Sequence, residues 1–135
     1  MKKLILLVVV ALFCCTSAMA QTVVVDEEIF LVVENEPEFP GGEDSLYAYI
    51  ARNIKYPEAA KKEKIEGRVF VTFVIEKDGQ VSSAKILRDI GGGCGEEAIR
   101  VVKSMPKWKP GTQRGNPVRV QFNLPVSFML GKDAN

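Results

Sequence analysis

The 135-residue sequence contains no histidine and only three cysteines. Without histidine it lacks the most frequent general base of enzymes and a common metal ligand. Two cysteines lie within the first 20 residues, so the rest of the chain keeps only Cys94 and has no internal disulfide or cysteine pair. Cys94 is either a reactive thiol near a helix start or, as we favour, an inert residue in a glycine-rich loop. No carboxylate pair or serine stands in a catalytic pattern, so we expect no enzymatic activity, no cofactor and no metal.

Basic residues are absent between positions 21 and 46, where eight acidic residues stand. From Tyr47 onward the chain has sixteen bases and nine acids, a net charge of +7. An acidic arm, which we place at residues 21–36, therefore precedes a basic body. Its runs Val23–Val25 and Ile29–Val33 are each able to form a short strand. The arm either folds against the body or only adds solubility, and the body suits an acidic partner such as a peptide or a lipid headgroup.

Only one long apolar run occurs, and it lies at the N-terminus. It extends from Leu4 to Cys15, after two lysines and before the small-residue motif Ala18-Met19-Ala20. This order is typical of a secretory signal peptide, here residues 1–20, and the run is short for a membrane span. Export argues against a nucleic-acid partner. The chain would meet a membrane directly only if the signal were retained as an anchor or if one of its cysteines were lipidated.

Three segments of the body have helical patterns. The first starts at Asp44 or Ser45, either of which can cap it, and the second runs from Pro57 to Lys64 because proline suits a first helical turn. The third has glutamates in its first turn and Lys103 in its last, as the helix dipole favours.

A β-hairpin is the clearest strand pattern. Val69–Ile75 is apolar on both faces, which predicts a central strand, and Val81–Leu87 is its return strand. Lys77-Asp78-Gly79 supplies the turn, with a glycine able to adopt positive φ. A last strand, Val118–Leu124, alternates apolar and polar residues, and the proline that follows at Pro125 favours an edge strand or a bulge.

The order of these elements predicts a small two-layer α+β sandwich. Its sheet would be antiparallel with the order 2-1-3, so that the first hairpin strand is central and the final strand is an edge, and the helices would cover one face. An exposed edge either faces solvent or accepts an extended peptide as an added strand. On the final strand the polar side chains of Arg119, Gln121 and Asn123 would face outward.

The only tryptophan, Trp108, lies among three prolines and several cations, between the third helix and the final strand. It could serve as a binding aromatic, as a nucleic-acid platform or as a buried side chain between helix and sheet. We favour the buried side chain, with Lys107 and Lys109 on either side remaining in water.

Three segments, YPEAAKKEKIEGRVFVTFVIEKDGQVSSAKILRD, EEAIRVVKSMPKWKPG and VRVQFNLPVSF, closely resemble the C-terminal domain of the TonB energy transducers, in the version common in Bacteroidetes. The resemblance covers roughly residues 37–130, and we place the domain at residues 37–131. The motifs that carry it include Tyr-Pro, Asp-Gly, Trp-Lys-Pro-Gly and a closing Pro-Val-Ser-Phe. It implies structural roles for Tyr56, Pro57, Gly67, Gly79, Trp108, Pro110 and Gly111.

The resemblance implies a periplasmic domain that binds the TonB box of an outer-membrane receptor by strand addition and is linked to TonB-dependent transport. The pairing edge would consist of Val118, Arg119, Val120, Gln121, Phe122, Asn123 and Leu124, and the basic body would suit acidic residues that flank such boxes. The sequence departs from a full transducer, because a signal peptide replaces the membrane anchor and no proline-rich spacer follows. Two alternatives therefore stay open: a structural protein that forms strand-exchanged homodimers, and a short transducer with an uncleaved N-terminal anchor.

Overall fold

The structure is a computed structural model that describes residues 28–131. Its elements in chain order are β1 (Ile29–Phe30), α1 (Glu43–Asn53), α2 (Glu58–Lys62), β2 (Gly67–Ile75), β3 (Val81–Arg88), α3 (Cys94–Lys103), β4 (Thr112–Gln113), β5 (Asn116–Pro117) and β6 (Arg119–Phe128). The predicted signal peptide, residues 1–20, and the run Val23–Val25 lie outside the described residues. Within residues 28–131 no helix is both long and apolar enough to cross a membrane.

The main sheet is built around β2, with the strand order β1-β6-β2-β3. β2 pairs antiparallel with β6 from Gly67↔Phe128 to Ile75↔Val120, and antiparallel with β3 on its other side. The predicted order of hairpin and final strand is present, and the α+β class is confirmed. The sheet differs from the prediction in one strand, because β1 adds outside β6 and runs parallel to it. Only two residues of the run Ile29–Val33 take part in this pairing. Their partners lie about 90 positions away in the chain, so no local pattern in the sequence indicates the pairing.

The core lies between one face of this sheet and the helices. Alternate residues of β2 point into it, since successive side chains of a strand face opposite sides. The buried face of α3 meets them, and the side chains at most 1% exposed include Val69, Val71, Phe73, Ile75, Ala98, Val101 and Val102. The helices therefore cover one face, as predicted, and they leave the other face of β6, with Asn123 and Ser127, exposed.

The first two helices have different ends from those predicted. α1 begins at Glu43 with Gly42 as its N-cap residue, so the prediction of Asp44 or Ser45 as the cap is wrong. Gly42 has a φ of 91°, and this conformation turns the chain into the helix without a side-chain cap. α2 ends at Lys62, two residues early, because Lys64 adopts a φ of 53° that a helix cannot contain.

The hairpin forms as predicted, and its return strand contains an irregularity. Ser83 has a φ of 50°, and the pairing of β2 with β3 shifts between Thr72 and Val74. Such a shift is typical of a β-bulge. β3 forms the outer edge of the sheet, where Ile86 and Leu87 are exposed.

Candidate functional site

The candidate site is the side of β6 that faces away from β2. β1 covers this side only at Arg119 and Val120. From Gln121 to Phe128 no other strand of the described chain pairs with it. An uncovered strand edge presents unpaired N–H and C=O groups that another extended chain can bond.

Pro125 lies inside β6, opposite Phe70 of β2, in a ladder that continues on both sides of it. A proline fits such a ladder without loss of a hydrogen bond when its nitrogen faces away from the partner strand. Backbone groups alternate in direction along a strand, so the same arrangement turns the N–H and C=O groups of Gln121 and Asn123 towards the open edge. The parallel pairing of Phe30 with Val120 uses the N–H of Gln121, so the Gln121 carbonyl and both backbone groups of Asn123 stand open before the proline.

The residues predicted for the pairing edge fall into three groups, which differ in what covers them. Val118 lies just before β6 and donates its N–H to the carbonyl of Gly111 at 3.0 Å. Arg119 and Val120 lie beside β1, and the run from Gln121 to Leu124 lies on the open part.

Side chains of the open part alternate between the two faces of the sheet. Val120 and Leu124 are buried on the face of the helices, and Phe122 is half-buried there. Gln121 and Asn123 lie on the other face, where Asn123 is exposed. An added strand would thus meet an apolar row on one face and a polar row on the other.

The side chain of Arg119 is engaged with Glu76. Its Nε donates to Glu76 Oε1 at 2.6 Å and its Nη2 donates to Oε2 at 3.2 Å. The hydroxyl of Ser82 also donates to this carboxylate. The guanidinium of Arg119, followed by the Ser82 hydroxyl, lowers the pKa of Glu76 below its usual range although partial burial opposes the shift. Arg119 therefore fixes the first residue of β6 to the end of β2.

An aromatic cluster lies under the open part of β6. Trp108 is 3% exposed, and its ring centroid lies 5.0 Å from that of Phe122, 5.5 Å from that of Phe39 and 5.8 Å from that of Phe73. The residues on either side, Lys107 and Lys109, are exposed. Trp108 thus packs between the edge strand, the central strand and Phe39, which follows the arm.

The hairpin turn is fastened to the same tryptophan. The backbone N–H of Trp108 donates to the backbone carbonyl of Gly79 at 2.9 Å. Gly79 has a φ of 89°, and a Cβ on it would lie 2.0 Å from the carbonyl oxygen of Trp108. Only glycine allows this approach, because any side chain would overlap the tryptophan backbone.

The other residues with implied structural roles lie at turns and seams around the sheet. Tyr56 donates its hydroxyl to the carbonyl of Ile65, packs its ring against Phe128 at 5.6 Å, and has its pKa raised mainly by burial. Pro57 is the N-cap residue of α2, and Gly67 is the first residue of β2. Pro110 and Gly111 follow the aromatic cluster, and a Cβ on Gly111 would lie 2.7 Å from Val120 Cγ2.

Residues 28–36 of the acidic arm fold against the body, a question that the sequence left open, and residues 37–39, which we count with the arm from here on, do the same. Asn35 exchanges two backbone hydrogen bonds with Thr112, and Glu38 exchanges two with Lys109. Pro37 and Phe39 are buried as a result. Sequence reasoning missed this segment as a part of the site. Phe39, a large apolar residue between two turn-forming prolines, was the signal that could have indicated it.

Cys94 is fully buried at the start of α3. Burial, and to a lesser extent the carboxylate of Asp89, raises the pKa of its thiol. The thiolate is thus disfavoured, which supports an inert cysteine.

Comparison with known proteins identifies relatives of this chain. The family model described as Gram-negative bacterial TonB protein C-terminal matches residues 52–130. An NMR solution structure of Helicobacter pylori TonB-CTD (residues 179–285) is 25% identical, with 70% of this chain and 89% of that chain covered and a TM-score of 0.52. A second one (residues 194–285) is 24% identical, with 67% and 95% covered and a TM-score of 0.50. No curated protein sequence matches the chain.

Proposed function

This chain belongs to the family of Gram-negative bacterial TonB C-terminal domains, and from that premise we propose that it binds the TonB box of an outer-membrane receptor as a strand added to β6. Domains of this family are non-enzymatic, periplasmic transducer or binding domains that interact with outer-membrane receptors. In the proposal the chain is a binding module linked to TonB-dependent transport, and its partner is an extended segment of the receptor.

The open part of β6 is the observation that supports this proposal. Strand addition needs a backbone edge that is uncovered and already held in place. β6 is held by its continuous ladder with β2 and by the buried side chains of Val120 and Leu124. No other strand within residues 28–131 pairs with its outer side beyond Gln121.

Because β1 already pairs with the start of β6, the proposed binding edge is shorter than the predicted run Val118–Leu124. While β1 stays in place, an incoming strand can bond the carbonyl of Gln121 and both backbone groups of Asn123. Pairing with Arg119 and Val120 requires that Ile29 and Phe30 leave the sheet. Val118 lies outside the strand, and its N–H is already bonded.

Amide chemical shifts provide the test. Synthetic TonB-box peptides from outer-membrane receptors of the host are titrated against the ¹⁵N-labelled chain from Gln21 to Asn135, the predicted mature protein. We expect saturable shifts centred on residues 121–124. Shifts confined to other elements, or no shifts, would refute strand addition at β6.

Two variants of Asn123 distinguish the contribution of its backbone N–H to peptide binding from that of its side chain. Asn123→Pro removes an N–H that the geometry turns towards the open edge, and Asn123→Ala keeps it. We expect the proline variant to bind the peptides about tenfold more weakly or worse, because one backbone bond is lost and the ring blocks the edge. The alanine variant should bind like the wild type, and thermal melts must show both variants folded. Equal affinity of both variants would contradict the proposed mode.

Self-pairing is the competing use of the same edge. The outer side of β3 is also uncovered among the described residues and exposes Ile86 and Leu87, so two edges are available for a second copy. Sedimentation across a range of concentrations distinguishes the two uses. A monomer at high concentration rejects the strand-exchanged dimer.

The periplasmic location of this particular chain depends on the predicted signal peptide. We propose that residues 1–20 are removed on export, which leaves Gln21 as the first residue. Mass spectrometry of the protein from its native host tests this proposal. Retention of residues 1–20 would instead support the short transducer with an uncleaved anchor.

A further inference from the structure

A groove runs along the open edge of β6 on the face of the helices. It consists of two adjoining cavities of about 310 Å³ and 70 Å³, which share Glu36, Pro37 and Phe122 in their walls. Because β1 ends opposite Val120, the groove begins where the uncovered part of the edge begins. A strand added to this edge would therefore place side chains in the groove.

The floor of the larger cavity is apolar. Phe39, Leu46 and Trp108 are buried in it, and Phe122 is half-buried. The indole N–H of Trp108 has no hydrogen-bond partner within residues 28–131. Residues side by side on neighbouring strands point to the same face. The incoming residue beside Phe122 thus directs its side chain over this floor, and its two neighbours in the peptide direct theirs to the opposite face.

The rim of the same cavity is acidic. Glu36, Glu38 and Glu43 line it, all three are exposed, and none forms a salt bridge within the described part of the chain. The backbone of Glu38 is held in place before any partner arrives, because it exchanges hydrogen bonds of 3.0 and 2.8 Å with the backbone of Lys109. The body carries a net positive charge, yet all the charged side chains that line this cavity are carboxylates. This local sign favours a basic partner and not the acidic one that the net charge suggested.

We propose that the groove selects an extended segment that places a lysine or arginine beside Phe122. The aliphatic stem of such a side chain covers the apolar floor, and its charged end reaches the carboxylates at the rim. A neutral side chain of the same length gains only the floor contact, and an acidic side chain is repelled. This inference rests on the proposed strand addition, to which it adds a rule for the sequence of the partner.

The test is a positional scan of the receptor-box peptides used above. At each position in turn the peptide is made with lysine, norleucine or glutamate, which compares a cation, a neutral residue of similar length and an anion. We expect one position at which lysine binds about tenfold more tightly than norleucine and glutamate binds most weakly. Raising the salt concentration should reduce this preference, because the rim is exposed.

Matched variants show whether the rim is responsible. In Glu36→Gln/Glu38→Gln/Glu43→Gln the preference for lysine should disappear, while the norleucine peptide keeps its affinity within about twofold. The control Glu58→Gln/Glu63→Gln/Glu96→Gln changes the net charge equally at exposed carboxylates outside the groove and should keep the preference. If the peptides shift β6 amides with no lysine preference at any position, or if both triple variants behave alike, the groove inference is wrong and strand addition stands. If no peptide shifts β6, the proposed function itself fails.

Discussion

Replacement of Trp108 by alanine is the sharpest test of how the fold supports its open edge. The indole is 3% exposed and contacts three phenylalanine rings from the arm, the central strand and the edge strand. Its removal leaves a void where these three segments meet. We therefore expect a large loss of stability, because small movements of the neighbouring side chains cannot fill this void.

The size of the loss follows from the buried area. A tryptophan buries on the order of 150–250 Å², which at about 25 cal/mol per Å² corresponds to about 4–6 kcal/mol. Alanine retains a part of this area, and the groove beside the ring lets water enter the void, so both effects reduce the loss. We expect the free energy of unfolding to fall by about 3–5 kcal/mol, the range found for large-to-small core changes.

Urea unfolding of the variant measures this loss. With a slope of about 1.5 kcal/mol per molar urea, the midpoint should fall by about 2–3 M. Trp108→Phe is the matched control: it keeps an aromatic ring and removes the buried N–H that has no partner within residues 28–131, so its cost should be only about 1 kcal/mol. An alanine variant within about 1 kcal/mol of the wild type would refute the structural role of Trp108.

Two further predictions concern the turn that follows β2. Gly79→Ala should lower the free energy of unfolding by at least about 1 kcal/mol more than Gly115→Ala, since both glycines have positive φ but only at Gly79 would a Cβ meet backbone, at 2.0 Å; equal losses in urea melts would contradict this. Glu76→Gln should cost about 1 kcal/mol at pH 7, because Arg119 stabilises the carboxylate and lowers its pKa. That stability is present above the unfolded pKa of about 4.3 and is lost as the pH falls through the lower folded pKa. The gap between wild type and variant in urea melts should therefore close below about pH 4, and a gap that is independent of pH would reject the assignment.

Local patterns in the sequence predicted those elements whose partners are close in the chain. The hairpin of β2 and β3 follows from alternation and from the turn at Gly79, and α3 follows from its apolar face and charged ends. The apolar character of both faces of Val69–Ile75 also predicted a central strand, and β6 on one edge and β3 on the other confirm that position.

Contacts between distant parts of the chain could not be predicted in this way. The pairing of Ile29 with Arg119 and of Glu38 with Lys109 depends on backbone groups that every residue carries. The arm therefore showed only its charge and its β-branched runs in the sequence. Its position beside the open edge, and with it the acidic rim of the groove, required the structure.

The hairpin turn, Trp108 and the open edge of β6 are connected by direct contacts. The backbone of Gly79 is bonded to that of Trp108, the ring of Trp108 lies 5.0 Å from that of Phe122, and Phe122 is a residue of the edge itself. A strand added to an edge that is already ordered loses less conformational entropy than one that must order the edge first. Peptide affinity should therefore fall in Gly79→Ala only as far as the edge becomes disordered, because Gly79 lies outside the groove. At temperatures where Gly79→Ala is fully folded, its affinity should approach that of the wild type, while Asn123→Pro should remain weak at every temperature because its defect lies in the edge backbone. A Gly79→Ala variant that is fully folded and yet binds as weakly as Asn123→Pro would show that the turn contacts the peptide directly.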